Sequence, residues 1–345
     1  MRVFLATGRK AAGMVLLGFG LLLTAAPARA EPLRLAYESW VAPGPFFIAR
    51  EKGWFAEEGV AVELVNIEDI RIRASALATG EVDAITANID EAILQMAAEG
   101  GMRFAFAIAE SHGGDGLIAN NDIENVAGLK GKTVAVQPGT SRQFYLNMLL
   151  RAAGLAETDI VTVAMAPGEA GLAFERSKVD AAVTWNPWLV RTENMPHGGV
   201  LVDTSSQPGL LVEMVVARND VLWERQADFQ ALYRAWLRAV AWEKENPDDA
   251  ALLIAAGIGR WLRNEVVVAE MRQGIAWYDG PMNESFFGTV KEPGPLLGTI
   301  ASAIEIWSGY GKLQVSVGPA ELIGRAVMVG DGPDPGREGR FYSIP

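Results

Sequence analysis

Two stretches decide the fold, Glu81-Val82-Asp83-Ala84-Ile85-Thr86-Ala87-Asn88 and Lys178-Val179-Asp180-Ala181-Ala182-Val183-Thr184-Trp185-Asn186. Each follows the same series of predicted elements: a strand, a helix, a second strand and a second helix. The first strand begins at Leu33 in one copy and at Thr133 in the other, roughly 50 residues before the repeated Asp. The chain therefore contains two βαβαβ units of one design.

Alternating strands and helices at this spacing predict parallel sheets, because a parallel connection needs a crossover of about a dozen or more residues. The predicted elements are strands 33–36 and 60–65 with helix 70–79 in the first unit, and strands 133–136 and 160–163 with helix 169–177 in the second. Ligands of such sheets bind beyond the carboxyl ends of the strands. We therefore predict an α/β fold of two lobes, each a parallel or mixed sheet flanked by helices, with a binding cleft between them.

The lobes are predicted to be connected by short crossings, since no low-complexity linker separates them. The Gly-rich segment 111–116 predicts one crossing, and the apolar strand 211–217 predicts the return, followed by a helix over 222–246. We assign 31–114 plus 217–345 to lobe 1, which is discontinuous, and 115–216 to lobe 2.

The first thirty residues predict a secretory signal peptide. Basic residues at the start precede an apolar run over 11–26, and Ala28-Arg29-Ala30 forms a cleavage site. The apolar run is shorter than the about 20 residues that span a bilayer. The alternative is an uncleaved membrane anchor. We predict cleavage after Ala30, which leaves Glu31 at the N-terminus.

Composition narrows the function classes. The chain has no cysteine and a formal net charge of −12, and removal of the predicted signal peptide makes the charge more negative. Nucleic-acid binding is improbable, because it requires clustered Lys and Arg. An exported, cysteine-free chain has no disulfides or thiolate metal sites and fits a bacterial periplasm.

Four segments resemble the sulfonate, taurine and nitrate group of periplasmic substrate-binding proteins: 33–37, PFFIAREKGWFAEEGV at 45–60, LKGKTVAV at 129–136, and 179–188. The resemblance covers nearly the whole mature chain. The group includes receptors for alkanesulfonates, taurine, nitrate, bicarbonate, and pyrimidine or flavin precursors. It implies a monomeric, non-enzymatic protein that needs no cofactor and delivers a small solute to the permease and ATPase of an ABC importer. It leaves the solute open.

Candidate ligand contacts lie in loops at the carboxyl ends of strands. In lobe 1 these are Ser39, Trp40, Asn88 and Asp90. Asn88 has an alternative role as a helix N-cap, and Trp40 has one as a packed side chain.

In lobe 2, Thr140 and Ser141 open a helix whose free N–H groups suit an anionic ligand group. Simple capping is their alternative role. Arg142 is predicted to face solvent.

The loop after the second repeated strand supplies Trp185, Asn186 and Trp188, which form an apolar or cation-binding wall. A helix start with Trp188 packed on its own lobe is the alternative. With His112, Asp115 and Glu213, these residues complete the candidate set.

The acidic residues of the candidate set indicate the charge of the solute. Asp90, Asp115 and Glu213 lie near the predicted cleft, where Arg142 is the basic side chain. Acids on one side and a helix start on the other favour a zwitterion such as taurine, or an amine, over nitrate. The alternative is structural, with Asp115 fixing the hinge turn.

Enzymatic interpretations lack their motifs. His112-Gly113-Gly114 resembles an esterase oxyanion loop, but no G-x-S-x-G elbow accompanies it. Gly131-Lys132-Thr133 lacks the earlier glycine of a phosphate loop, and two histidines form no metal-ligand pattern. A pyrimidine-precursor enzyme of the same fold is the main enzymatic alternative. It depends on cysteine and histidine chemistry, which this cysteine-free chain cannot supply. A pyrimidine-precursor binding protein and a periplasmic sensor of the same fold remain open.

Overall fold

Two β-sheets organise the part of the chain that the structure describes. The computed structural model describes residues 31–99, 101–192, 195–259, 262–289, 291–313 and 318–324. The predicted signal peptide and its cleavage site at Ala30 lie outside the described residues.

The strands are β1 (Leu33–Tyr37), β2 (Val62–Asn66), β3 (Ala84–Asn88), β4 (Met102–Ser111), β5 (Asp115–Asn120), β6 (Thr133–Val136), β7 (Val161–Ala164), β8 (Ala181–Trp185), β9 (Gly198–Asp203), β10 (Val212–Arg218) and β11 (Ile275–Trp277). The first sheet has the order β11-β4-β10-β3-β1-β2, and the second has the order β7-β6-β8-β5-β9. Each sheet therefore contains one βαβαβ unit, β1-β2-β3 or β6-β7-β8.

The helices are α1 (Gly44–Glu51), α2 (Trp54–Glu57), α3 (Ile70–Thr79), α4 (Ile89–Glu99), α5 (Ser141–Ala152), α6 (Pro167–Glu175), α7 (Trp188–Thr192), α8 (Asn219–Glu224), α9 (Gln226–Glu245), α10 (Pro247–Ile258), α11 (Glu265–Arg272), α12 (Gly280–Phe287) and α13 (Pro295–Gly309). The predicted helix 222–246 is thus two helices that meet at Arg225. None of the described helices is long and apolar enough to cross a membrane.

The repeated Asp accepts the same backbone hydrogen bond in both units. Asp83 Oδ2 accepts a hydrogen bond from the backbone N–H of Arg34 at 2.8 Å, and Asp180 Oδ2 accepts one from the backbone N–H of Thr133 at 2.8 Å. Each carboxylate ties the turn before the third strand of its unit to the start of the first strand. The Thr133 hydroxyl and backbone N–H lower the pKa of Asp180. The Asp of the repeated Val-Asp-Ala sequence therefore has a structural role in both units, because it holds the third strand of the unit beside the first.

The sheets are mixed, because strands from outside each unit are inserted antiparallel. The unit strands pair in parallel. In the first sheet β10 runs antiparallel between β3 and β4, and in the second β5 runs antiparallel between β8 and β9. These strands carry the chain from one sheet to the other, so they enter each sheet from the cleft side.

The crossings lie near the predicted segments. β4 ends at Ser111 in the first sheet, and β5 begins at Asp115 in the second. On the return, β10 belongs to the first sheet from Val212 onward, so the boundary placed at 217 falls inside this strand. One buried apolar cluster contains side chains of both sheets, including Ile85 of β3 and Val134 of β6.

Candidate functional site

A cavity of about 260 Å³ lies where strand ends of the two sheets face each other. It is lined by Glu38, Ser39, Trp40, Ala42, Glu68, Asn88, Ala109, Glu110, Ser111, Asp115, Gln137, Ser141, Arg142, Pro167, Trp185, Leu211, Glu213 and Ile275. Pockets for drug-sized ligands typically measure about 300–1,000 Å³. The cavity therefore suits a small solute.

The carboxyl ends of the unit strands supply much of the lining. Ser39 and Trp40 follow β1, and Gln137 follows β6. Asn88 and Trp185 are the last residues of β3 and β8, the two repeated strands. The repeat thus places equivalent positions of its two copies in one cavity.

Trp40 and Trp185 stack on each other from the two units. Their ring centroids lie 4.7 Å apart with an interplanar angle of 28°. Such aromatic pairs stabilise by about 0.5–1.5 kcal/mol beyond the burial of their area. The guanidinium carbon of Arg142 lies 5.4 Å from the centroid of the Trp185 ring. The stack is a wall of the cavity and also a contact that joins its two halves.

Arg142 faces the cavity, so the prediction that it faces solvent is wrong. Its side chain is 17% exposed, and its Nε donates to Asp115 Oδ1 at 3.1 Å. Arg142 lies in the first turn of α5, and Asp115 begins β5 opposite Trp185 of β8. The two charges balance each other, so Asp115 does not present an isolated negative charge to a ligand.

The N-terminus of α5 is occupied by carboxyl groups of the first unit. Ser141 Oγ donates to Asp90 Oδ1 at 2.9 Å, and the Ser141 backbone N–H donates to Glu91 Oε1 at 3.3 Å. Asp90 and Glu91 form the first turn of α4, which follows β3. The Ser141 N–H and hydroxyl, which the sequence assigns to an anionic ligand group, thus donate to the protein's own carboxyl groups.

These two acids are fully buried and have altered pKa values. Burial, followed by the negative charge of Glu91, raises the pKa of Asp90 to about 8. Burial, followed by the negative charge of Glu38, raises the pKa of Glu91. Because Ser141 belongs to the second unit, the cluster is a second contact between the halves, and a polar one.

Glu213 of β10 lines the cavity without a hydrogen-bond partner. The residue is 3% exposed, and neither carboxyl oxygen meets hydrogen-bond geometry with a described residue. Burial, followed by the charge of Glu38, raises the pKa of Glu213 to about 8, although the nearby Thr86 hydroxyl acts to lower it. That hydroxyl also lacks a hydrogen bond of acceptable geometry. In the sheet, Glu213 lies opposite Asn88.

The other lining acids are held by protein groups. Glu38 lies 3.4 Å from the guanidinium of Arg73, whose side chain is fully buried behind the wall. Glu68 accepts hydrogen bonds from the backbone N–H and the hydroxyl of Ser39, at 3.2 and 2.6 Å. Glu110 accepts one from the Tyr278 hydroxyl at 2.9 Å.

A family model described as the NMT1-like family matches residues 26–258. The chain belongs to the NMT1-like family. A Bacillus subtilis protein named as a candidate aliphatic sulfonates-binding protein is 30% identical to this NMT1-like chain over 217 residues. The match covers 60% of this chain and 64% of that relative, which is less than two thirds of the relative's length.

Solved structures with the same fold include the periplasmic aliphatic sulphonate binding protein SsuA from Escherichia coli, with a TM-score of 0.71 at 19% identity, covering 86% of this chain and 99% of that one. Another is the periplasmic nitrate-binding protein NrtA from Synechocystis, with a TM-score of 0.61 at 16% identity, covering 86% and 87%. At these identities the likeness shows the fold. The predicted family resemblance and the predicted periplasmic binding protein fold are both confirmed.

Seven of the twelve predicted site residues of this NMT1-like chain line the cavity: Ser39, Trp40, Asn88, Asp115, Ser141, Trp185 and Glu213. Their contact with a ligand stays a prediction. Asp90 lies behind Ser141, outside the lining. The Thr140 hydroxyl donates to the carbonyl of Gln137 at 2.9 Å, so it is turned toward its own loop.

Three other predicted residues also lie outside the lining. The side chain of His112 is 50% exposed, with its ring nitrogen 3.8 Å from Glu110. Asn186 donates its backbone N–H to the carbonyl of Gly114, at the crossing between sheets. Trp188 packs against α6 so closely that a Cβ on Gly171 would lie 2.7 Å from its ring. Packing on its own half is the alternative that the sequence left open for Trp188.

Apart from Ser111, which the sequence placed in a crossing, and Arg142, the sequence interpretation did not include four polar lining residues, Glu38, Glu68, Glu110 and Gln137. Three of them carry a usable signal. Glu38 and Gln137 come directly after β1 and β6, and Glu68 comes two residues after β2, so the rule that used Ser39 selects them too. Glu110 lies inside β4 and carries no such signal.

Proposed function

We propose that this chain is the solute-binding component of an ABC importer, which captures one small organic solute in the periplasm and presents it to the permease and ATPase. The observation that carries the proposal is the small cavity formed jointly by the two units, with the Trp40–Trp185 stack across it. A ligand enclosed in this way contacts both halves and therefore favours the closed form. The names of the relatives supply the first solute classes to test, aliphatic sulfonates and nitrate. Taurine-like and amine compounds are tested beside them, because the acidic residues of the sequence favour these.

Several further features belong to this proposal. The mature protein acts as a monomer after removal of residues 1–30. Lobe 1 comprises 31–114 and 217–345, and lobe 2 comprises 115–216, with the β10 strand crossing that last boundary. The chain is a binding protein rather than an enzyme, and the names of the relatives as binding proteins support this part of the proposal.

A thermal-shift screen tests the proposal. The mature protein is heated with sulfonates, amino acids, amines and inorganic anions, and binders are then examined by small-angle scattering. A solute at 100 times its Kd stabilises the folded state by about 2.7 kcal/mol, which raises Tm by roughly 4 °C for a protein of this size. We expect the same solute to reduce the radius of gyration. A screen without any stabilising solute, and scattering that never changes, would contradict the proposal.

A further inference from the structure

The charge of the cavity wall is unusual for an anion receptor. Five carboxyl side chains line it, and the guanidinium of Arg142 is the cationic group of the described lining. Four of the five acids have ion-pair or hydrogen-bond partners in the protein, as described above. Glu213 differs from these four, because both of its oxygens lack a hydrogen-bond partner among the described residues.

A buried carboxyl group without partners is costly, because its polar atoms have lost water and gained nothing in exchange. Glu213 is 97% buried, being 3% exposed, yet it lines a cavity that holds a ligand under the proposed function. The charged groups that face it are Glu38, Arg73 and Glu91. Two of these three are acidic, so the surroundings favour a donor that carries positive charge.

The two groups that the sequence offers to an anion, Ser141 at the start of α5 and Arg142, both have protein partners. The α5 N-terminus receives Asp90 and Glu91 through Ser141. Arg142 is paired with Asp115 at 3.1 Å. Neither Ser141 at the start of α5 nor the Arg142 guanidinium is therefore left without a protein partner for an anionic ligand group.

The remaining walls suit an organic cation. The stacked Trp40 and Trp185 present aromatic surface, which attracts cationic nitrogen groups. The acids are spread around the cavity, and no group of three or more within the described residues has the arrangement of a metal site. A metal ion is thus a poorer match than a nitrogen cation with apolar substituents.

We propose that the solute carries a protonated amine or amidine whose N–H groups hydrogen-bond Glu213, with its carbon skeleton against the Trp40–Trp185 stack and without a sulfonate or other strong anion. This inference rests on the proposed function of solute capture and names the chemical class of the solute. It replaces the zwitterion that the sequence favours, because the Ser141 donors assigned to the anionic end bond to protein carboxyl groups.

Binding of such a solute is linked to a proton. The pKa of Glu213 is raised to about 8, first by burial and then by Glu38, so this carboxyl group is mostly protonated at pH 7. A bound cation stabilises the ionised form, so amine binding releases roughly one proton at this pH. A neutral ligand leaves the proton in place.

The test compares cationic probes with neutral analogues of the same shape. Thermal shift and calorimetry are run with butylamine, benzylamine and benzamidine, against 1-butanol, benzyl alcohol and benzamide, and with ethanesulfonate, taurine and nitrate. We expect at least one cationic probe to bind more tightly than its neutral analogue and than all three of the last compounds. Calorimetry in two buffers of different ionisation enthalpy should show the proton release.

A Glu213→Gln variant should bind the preferred cation about 10- to 100-fold more weakly, since a neutral amide replaces the charged hydrogen-bond acceptor, and should release no proton. Glu124→Gln makes the same charge change at an exposed site outside the lining and should bind like the natural protein. Equal binding of benzamide and benzamidine, tighter binding of ethanesulfonate or nitrate, or unchanged amine binding by Glu213→Gln would each overturn the inference. Preference for a sulfonate would leave solute capture standing, whereas failure of every solute in the wider screen would remove the proposed function itself.

Discussion

The Trp40–Trp185 stack leads to a quantitative prediction for a Trp185→Ala variant. The centroid separation of 4.7 Å lies at the short end of the range for favourable aromatic pairs. Loss of the pair removes about 0.5–1.5 kcal/mol that the closed form has and the open form lacks. Since about 1.4 kcal/mol corresponds to a factor of ten, the ratio of closed to open protein falls about 2- to 12-fold.

Through this shift alone the ligand should lose affinity by up to the same factor, because it binds the closed form. Loss of its direct contact with the indole brings the total to about 1–3 kcal/mol, the range for an aromatic anchor in a pocket. Scattering from the empty variant should show a larger radius of gyration, and calorimetry with the tightest compound of the thermal-shift screen should show the weaker binding. The Tm of the empty protein should change little.

Two comparisons make the reasoning refutable. Trp188→Ala removes an indole three residues away that packs on α6 outside the cavity, so it should lower Tm and leave ligand affinity unchanged. If the stack acts as a unit, the effects of Trp40→Ala and Trp185→Ala on closure in the empty protein should not add in the double variant. Additive effects on closure, or a Tm loss in Trp185→Ala as large as that in Trp188→Ala, would show that Trp185 is ordinary core.

The remaining predictions concern pH, folding and export. Because burial raises the pKa of Asp90 to about 8, the native state keeps a proton that the unfolded state releases near pH 4. The free energy of unfolding should therefore fall by up to about 1.4 kcal/mol per pH unit between pH 5 and 7. Asp90→Asn should flatten this slope in chemical denaturation, and an unchanged slope would contradict the raised pKa. Asp180→Ala should lower the free energy of unfolding by about 1.5–3 kcal/mol through loss of its bonds to Thr133, whereas the conservative Asp180→Asn, which keeps one acceptor oxygen, should lose less; equal losses would assign the effect to packing. Mass spectrometry of the exported protein should find Glu31 at the N-terminus, and retention of Met1 in a membrane fraction would refute cleavage.

The fold was predictable because its main signal is repeated in the sequence. The Val-Asp-Ala turns indicate both units, and the helix at 70–79 and the strand at 133–136 match the observed bounds. The antiparallel direction of β5 and β10 was harder to predict from the sequence. These strands pair with partners far along the chain, so their antiparallel insertion depends on how the two sheets face each other.

The candidate site was predictable where position along a strand determines it, as for Asn88 and Trp185. The prediction failed where the site depends on a contact between two side chains that are far apart in the sequence. Arg142 looked free to face solvent because nothing local shows that Asp115, 27 residues earlier, turns toward it. Likewise, Ser141 meets Asp90 across 51 residues and from the other unit.

The position of β10 determines the order in which the first sheet can be completed. β3 and β4 are neighbours in sequence, but β10 separates them in the sheet and is synthesised about 100 residues after β4. Until then two apolar strands have unpaired edges, which are the features that promote aggregation of partly folded chains. All five strands of the second sheet precede Val212. A nascent chain that stops there holds a second sheet with every strand available and a first sheet with a gap at its centre, so the second sheet is free to fold before the first although it begins later in the chain.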